Sequence, residues 1–272
     1  MPRLPLVAGA VRKLLKEIES SGSGEHVLTV GGAPERASVL RQQLLRGRAE
    51  PEAVRLDGPE GADAYVHVLS GEPDDEDVRA LRRARRGRVP VVAVAVGSAE
   101  AVKIPYVLAT DVVRVGAGEA FPLETIARTL AARLGEDGAP LAARVPLLRE
   151  PVCDRLVSSF ARKNGAVAAA VWIPGADLPV LALNELRLVL RLAQAHGVEG
   201  GRELAPELAA TLGAGFGLRA LAREALDFVP GAGWAVKGAV AYAGTRALGE
   251  AAQLRFALAA TRPRDAASRA AP

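Results

Sequence analysis

The residues with the clearest chemical potential are Gly31, Ser38 and Asp57. Gly31 and Ser38 stand at the first-glycine and hydroxyl positions of the stretch Val30-Gly31-Gly32-Ala33-Pro34-Glu35-Arg36-Ala37-Ser38. A loop that wraps a nucleoside triphosphate needs glycines so that backbone N–H groups can reach the phosphates. It also needs a Lys for the β/γ charge and a Ser or Thr for magnesium. Here the spacing survives and most of the chemistry does not: Arg36 replaces the second Gly and Ala37 replaces the Lys. Arg36 could supply charge, but its bulk crowds a site that a Gly leaves open.

Other chemistry-bearing residues form no complete constellation. His26, His67 and His196 are far apart, and none has a partner at metal-ligand spacing. His67 lies in a strand pattern and reads as a packed or edge residue. Ser158 and Ser159 lack a nucleophile-elbow context, and no hydrolase triad is visible. The basic run Val78 to Arg86 could bind phosphates of nucleic acid or lipid. The acids Asp74–Asp77 open the helix this run belongs to and the arginines close it, which complements a helix dipole, so a solvated helix face is expected. No aromatic residue interleaves with these arginines as a stacking platform. Asn184, Arg187, Arg191 and Gln194 form one narrow polar stripe, read as the solvent edge of a mostly buried helix, with a polar pocket or lipid contact as the alternative.

The elements that would carry these residues follow from periodicity. An amphipathic helix over residues 5–19 precedes a flexible Ser20–Gly24 joint. From Glu25 strands and helices alternate: strands at Val27–Val30, Ala53–Leu56, Ala64–Leu69, Val91–Val96, Tyr106–Leu108 and Val112–Val115, helices at Glu35–Arg46, Asp74 to about Arg86, and Pro122–Leu134. The uncharged run Val91–Val96 reads as a strand buried on both faces. This alternation predicts an α/β domain, three layers around a mostly parallel sheet.

Gly135–Pro140 reads as a domain boundary, and only helical patterns follow: Pro151 to about Val171, Leu178–His196 with Asp177 as N-cap, Pro206–Leu212, and a helical hairpin from Gly213 to Phe256 turning at Phe228–Trp234. Trp172-Ile173-Pro174-Gly175-Ala176 and Phe228-Val229-Pro230-Gly231-Ala232 echo each other. The second hairpin helix is rich in small residues, which allows close helix approach. The expected organisation is 1–24 helix and linker, 25–140 α/β domain, 141–260 helical bundle, and 261–272 disordered tail.

The totals narrow the class. The chain has 272 residues, a net charge of +4, and positive charge carried almost wholly by Arg. Heavy Ala and Arg use also follows from a GC-rich genome, so the basic balance argues only weakly for a nucleic-acid partner, and none is expected. One cysteine, Cys153, excludes an intrachain disulfide and fits a reducing cytoplasm. No signal peptide and no run of about 18 uncharged apolar residues is read, so no conventional spanning helix is predicted.

Beyond the Val30–Ser38 stretch, Asp57-Gly58-Pro59-Glu60 stands where a D-x-x-G loop would hold magnesium and γ-phosphate, with Asp57 kept and Glu60 in place of the Gly. Ala62–Val66 and Arg88-Val89-Pro90 match the strand regions that follow. On these residues the α/β part resembles the domain of small Ras-like bacterial GTPases, in degenerate form. The positions matching the guanine-reading N-K-x-D motif are Val96, Gly97, Ser98 and Ala99, which carry none of its groups. The Arg46–Ala53 connection is too short for an ordered switch loop and its strand. The resemblance implies a pseudo-GTPase without cofactor. Its rival is a divergent nucleotide-binding protein using Gly31, Ser38 and Asp57 with GTP and magnesium.

Pro174–Pro179, Leu183-Asn184-Glu185 and Val229–Trp234, with Thr245 and Gly249, resemble a bacterial helical domain of unknown function that follows Ras-like GTPase domains and is membrane-associated in some members. No catalytic residue carries over from it. The implied role is non-catalytic: contact with a protein partner, self-association through the helical domain, or contact with a membrane surface. The implied location is cytoplasmic or peripheral to the inner membrane.

Overall fold

A computed structural model of the chain describes residues 4–97, 103–170, 178–198 and 233–261. It divides into two compact units, Ser21–Arg155 on one hand and Met1–Ser20 with Leu156–Pro272 on the other.

The first unit is built on a five-stranded sheet in the order β2-β1-β3-β4-β5. Its strands are β1 (Leu28–Gly32), β2 (Val54–Leu56), β3 (Ala64–Leu69), β4 (Val91–Val96) and β5 (Val112–Val115). All four pairings are parallel. A parallel sheet covered on both faces needs strands apolar on both sides; the Val/Ala run of β4 supplies that, while β3 is buried throughout and carries Tyr65 and His67 among its apolar residues. Helix α2 (Pro34–Arg46) carries the chain from β1 outward to β2, and α3 (Asp75–Gly87) carries it from β3 to β4 in the opposite direction. With the usual right-handed crossovers, those two helices cover opposite faces. Leu81 of α3 packs with Leu69, Ala93, Ala95 and Ile104. Register pairs Thr29 with Tyr65 and Gly31 with His67, so these four side-chain positions share the α3 face.

Helix α4 (Leu123–Leu134) follows β5, and α5 (Gly138–Arg144) follows a short 3-10 turn. The sequence marked Gly135–Pro140 as a boundary, but here the segment continues the α/β unit. Residues from Gly138 to Ala142 are buried. Arg144 closes the unit by bonding Glu50 at 2.7 Å and the His26 carbonyl at 2.8 Å. The division instead falls inside α6 (Arg149–Ala170), between Arg155 and Leu156.

Three other expectations change. Ser20 to Gly22 are helical, the end of α1 (Leu4–Gly22), so the joint is shorter than its Ser/Gly composition suggested. Ala53 belongs to a 3-10 turn before β2. Tyr106 to Leu108 form no strand; Tyr106 has φ of 65°, which an extended ladder cannot hold.

The helical unit contains α1 up to Ser20, the larger part of α6, α7 (Leu178–Ala195) and α8 (Gly233–Thr261). Its small residues let helices touch. A β-carbon on Gly165 would lie 3.1 Å from the Gly238 carbonyl, and one on Gly249 would lie 2.6 Å from Val157. So α8 runs against α6 nearly backbone to backbone at one level and is wedged under Val157 at another. The Trp172/Phe228 echo, the Asp177 cap, the Pro206–Leu212 helix, the first hairpin helix with the turn up to residue 232, and the 262–272 tail lie outside the described residues; Gly233 and Trp234 begin α8. No helix among the described residues is long and apolar enough to cross a membrane.

Candidate functional site

The first site to build is the C-terminal edge of β1, where a phosphate loop would begin. β1 ends at Gly32 and α2 begins at Pro34, so Ala33 alone joins them. Pro34 suits a first helical position because its missing N–H has no partner there in any case. The stretch from Pro34 to Ser38 is therefore helix, and the nine residues that carried the phosphate-loop spacing do not form a wrapping loop. Ala33 N–H donates to the Val68 carbonyl at 2.8 Å. A β-carbon on Gly32, at φ 91°, would collide with that same carbonyl. Both facts tie the end of β1 directly to β3.

Gly31 has a physical reason of its own. A β-carbon there would stand 2.5 Å from the Tyr65 hydroxyl and 2.9 Å from the Asp57 carbonyl. The glycine makes room for a neighbouring side chain of the same fold. Asp57 is brought close to Gly31, and its carboxylate accepts the Gly58 N–H at 2.7 Å, steadying its own turn. Ser38 sits half-buried one turn inside α2, and among the described residues no hydrogen bond joins it to Gly31 or Asp57.

Under Gly31 lies a polar chain that sequence spacing did not reveal. Tyr65 Oη is 2.7 Å from His67 Nδ1, and His67 Nε2 is 2.8 Å from Asp77 Oδ1. Asp77 offers only acceptor oxygens, so the imidazole donates through Nε2 and its Nδ1 accepts the tyrosine proton. Burial lowers the His67 pKa below the ordinary histidine value, against the pull of Asp77. Burial likewise raises that of Tyr65. Both effects keep the chain neutral at Tyr65 and His67. Asp77 also completes a capping box with Asp74 at the start of α3, so the chain anchors that helix to β3.

The order Tyr–His–Asp resembles a nucleophile–base–orienter series. Tyr65 is 1% exposed and its hydroxyl abuts Gly31, which leaves no place for a substrate atom. Its neighbour across the ladder, Thr29, buries a hydroxyl that finds no hydrogen-bond partner among the described residues.

The helical unit holds a second polar chain. Asn184 Nδ2 donates to Asn164 Oδ1 at 2.8 Å, Asn164 Nδ2 donates to Thr245 Oγ1 at 2.9 Å, and Thr245 donates to Glu185 Oε1 at 3.3 Å. Three helices contribute: α6, α7 and α8. Asn164, Thr245 and Glu185 are buried, and each donation ends on an acceptor, finally a carboxylate. Asn184, Glu185 and Thr245 belonged to the quoted helical motif; Asn164 did not. The signal that could have found it is an amide inside an otherwise Ala/Val-rich helical run.

The polar stripe of α7 is not a solvent edge. Arg191 is 3% exposed and bonds Gln194 at 3.0 Å. Arg187 pairs with Glu17, and Gln194 donates to the Ile18 carbonyl, so the stripe is where α1 docks. Among the described residues no group of His, Cys, Asp and Glu could hold a metal ion. Burial pushes the Cys153 thiol up to about 12, which keeps it protonated and unreactive at neutral pH.

Comparison of the chain with protein-family models, with curated proteins and with solved structures finds no match in any of the three.

Proposed function

We propose that this is a non-catalytic two-part protein, a pseudo-GTPase-like α/β unit joined to a helical module that works by contact. The observation that carries the reading is the β1–α2 junction: one residue long, bonded to β3, with the Tyr65 hydroxyl against Gly31. A phosphate loop needs several free backbone N–H groups curved round an anion, and this junction offers too short a chain to curve. The β2-β1-β3-β4-β5 order occurs in doubly wound proteins of many functions, so topology alone carries no activity.

Contact through the helical module is supported by α8. Ala243, Ala247, Ala251, Leu254 and Leu258 recur every three or four residues and are all exposed, with Leu254 64% exposed. Such a stripe suits self-association or a partner helix. The alternatives in the same class are a membrane surface and, in the enzyme class, residual GTP binding through Gly31, Ser38 and Asp57.

Titration of the full chain with fluorescent guanine and adenine nucleotides in magnesium buffer tests the reading. No saturable binding sensitive to Ser38→Ala or Asp57→Ala is expected. Micromolar binding abolished by either substitution makes the divergent nucleotide-binding reading the correct one.

A further inference from the structure

The C-terminal half of α3 and the β4–β5 connection form a basic recess that the phosphate-loop question leaves aside. Arg82, Arg85 and Arg86 fall on one side of α3, at spacings of three and four. Tyr106, far along the chain, closes the recess with them. The volume there is about 430 Å³. A second hollow of about 390 Å³ adjoins it, sharing Arg85 and Tyr106 and adding Arg88 and Arg133.

Tyr106 organises this surface. Its ring lies 5.7 Å from the guanidinium carbon of Arg82 and 5.7 Å from that of Arg85. Its hydroxyl accepts the Arg82 Nε–H at 3.2 Å. Ring contact of this kind holds a guanidinium flat while leaving its remaining N–H edge free to donate. The ring is presented from a backbone at φ 65°, a conformation disfavoured for a residue with a β-carbon. Sequence spacing found no aromatic among these arginines because the aromatic comes from another segment.

Among the described residues the charge is not neutralised locally. The one carboxylate among the described residues that line the two hollows is Asp111, which pairs with Arg133 at 3.2 Å. Arg83, on another side of α3, pairs with Glu60 at 2.6 Å. Arg82, Arg85, Arg86 and Arg88 are exposed, and no ion pair joins them to a carboxylate among the described residues. The end of α3 carries roughly half a negative charge, which offsets only a fraction of four guanidiniums. A helix dipole therefore accounts for one arginine in the last turn, not for a cluster with an aromatic clamp.

We propose that this recess binds phosphate-bearing ligands, with Arg82 and Arg85 as the donors and Tyr106 as the residue that positions them. Guanidinium forks match phosphate oxygens two at a time, and the two adjoining hollows suit a phosphate in one and its substituent in the other. The phosphate could belong to a soluble molecule or to a lipid headgroup. Leu108, two positions along the chain from Tyr106, is 58% exposed, an apolar side chain of the kind a membrane-surface contact would have. The proposal is independent of the pseudo-GTPase reading, because it concerns the opposite end of α3 from the Asp74 cap.

Two probes test it on the full chain: inorganic pyrophosphate followed by calorimetry, and phosphatidylcholine vesicles with and without phosphatidic acid followed by co-sedimentation. The Arg82→Gln/Arg85→Gln variant is expected to weaken binding about tenfold or more. The charge-matched Arg46→Gln/Arg48→Gln control is expected to change it little. Tyr106→Leu should fall between them, with circular dichroism verifying the fold of each variant. Pyrophosphate binding lost in the arginine variant supports the site with a soluble ligand. Binding to phosphatidic acid vesicles that is lost in that variant and in Leu108→Asp supports it with a lipid headgroup. The proposal is overturned if neither probe binds at low salt, or if the control loses as much as the arginine variant.

Discussion

The two units each bury a chain of polar side chains, and the chains differ in reach. In the α/β unit, Tyr65, His67 and Asp77 lie within twelve positions of one another and join one strand to the start of the next helix. In the helical unit, Asn164, Asn184, Glu185 and Thr245 span eighty-one positions and join three helices. The first is a local device inside a fold whose sheet already fixes every strand. The second acts where apolar packing of small residues leaves helices free to slide, and directional hydrogen bonds select one register. The same chemistry thus anchors a helix end in one unit and sets helix alignment in the other.

The largest expected effect follows from breaking the long-range chain. Asn164→Leu removes the acceptor of Asn184 and the donor to Thr245, leaving a half-buried amide and a buried hydroxyl without those partners. A loss of about 3 kcal/mol is expected. It should appear as reduced hydrogen-exchange protection in α6, α7 and α8 together. Unchanged protection would mean that the register is set by the Gly165, Gly238 and Gly249 contacts alone.

The local chain should cost less. His67→Gln is expected to destabilise the α/β unit by about 2 kcal/mol, since one amide cannot reproduce both imidazole contacts. It also carries a pH signature. Burial lowers the folded pKa of His67, so the unfolded chain takes up the proton first. The stabilisation is complete above the ordinary histidine value of about 6.5 and is lost as pH falls from there through the folded pKa. Urea unfolding of the natural chain should show that decline, and His67→Gln should flatten it. A variant with the same slope would remove His67 from the account.

The smallest effect has the opposite sign. Thr29 buries a hydroxyl with no partner among the described residues, beside Tyr65, so Thr29→Val keeps the shape and removes the penalty. A gain of about 1 kcal/mol is expected by thermal unfolding. A loss would show that the hydroxyl is satisfied in solution.

The strands were readable because parallel sheets demand continuous apolar runs, as in Val91–Val96, and α3 was readable because Asp74–Asp77 and its terminal arginines mark both ends. Tyr106–Leu108 has the β-branched and aromatic composition of a strand, and that composition does not reveal the positive φ at Tyr106. The Gly31 spacing suggested a phosphate loop; what it accommodates is Tyr65, which is thirty-four positions away. The α7 stripe was seen as a pattern but not as the docking face of α1, because a polar residue at a helix interface and one facing water share the same periodicity. Both polar chains escaped notice for a related reason: their members meet only after strands align or helices cross.

The central claim is that the end of β1 makes no phosphate loop. The most direct test is an amide chemical-shift titration of the full chain with magnesium-GTP, reading Gly31 to Ser38 against Arg82 to Arg88 and Tyr106. The account predicts that the Gly31–Ser38 amides stay in place; any saturable movement should be confined to the arginine recess and vanish in Arg82→Gln/Arg85→Gln. Saturable shifts centred on Gly31, Ser38 and Asp57 that persist in that variant would contradict it.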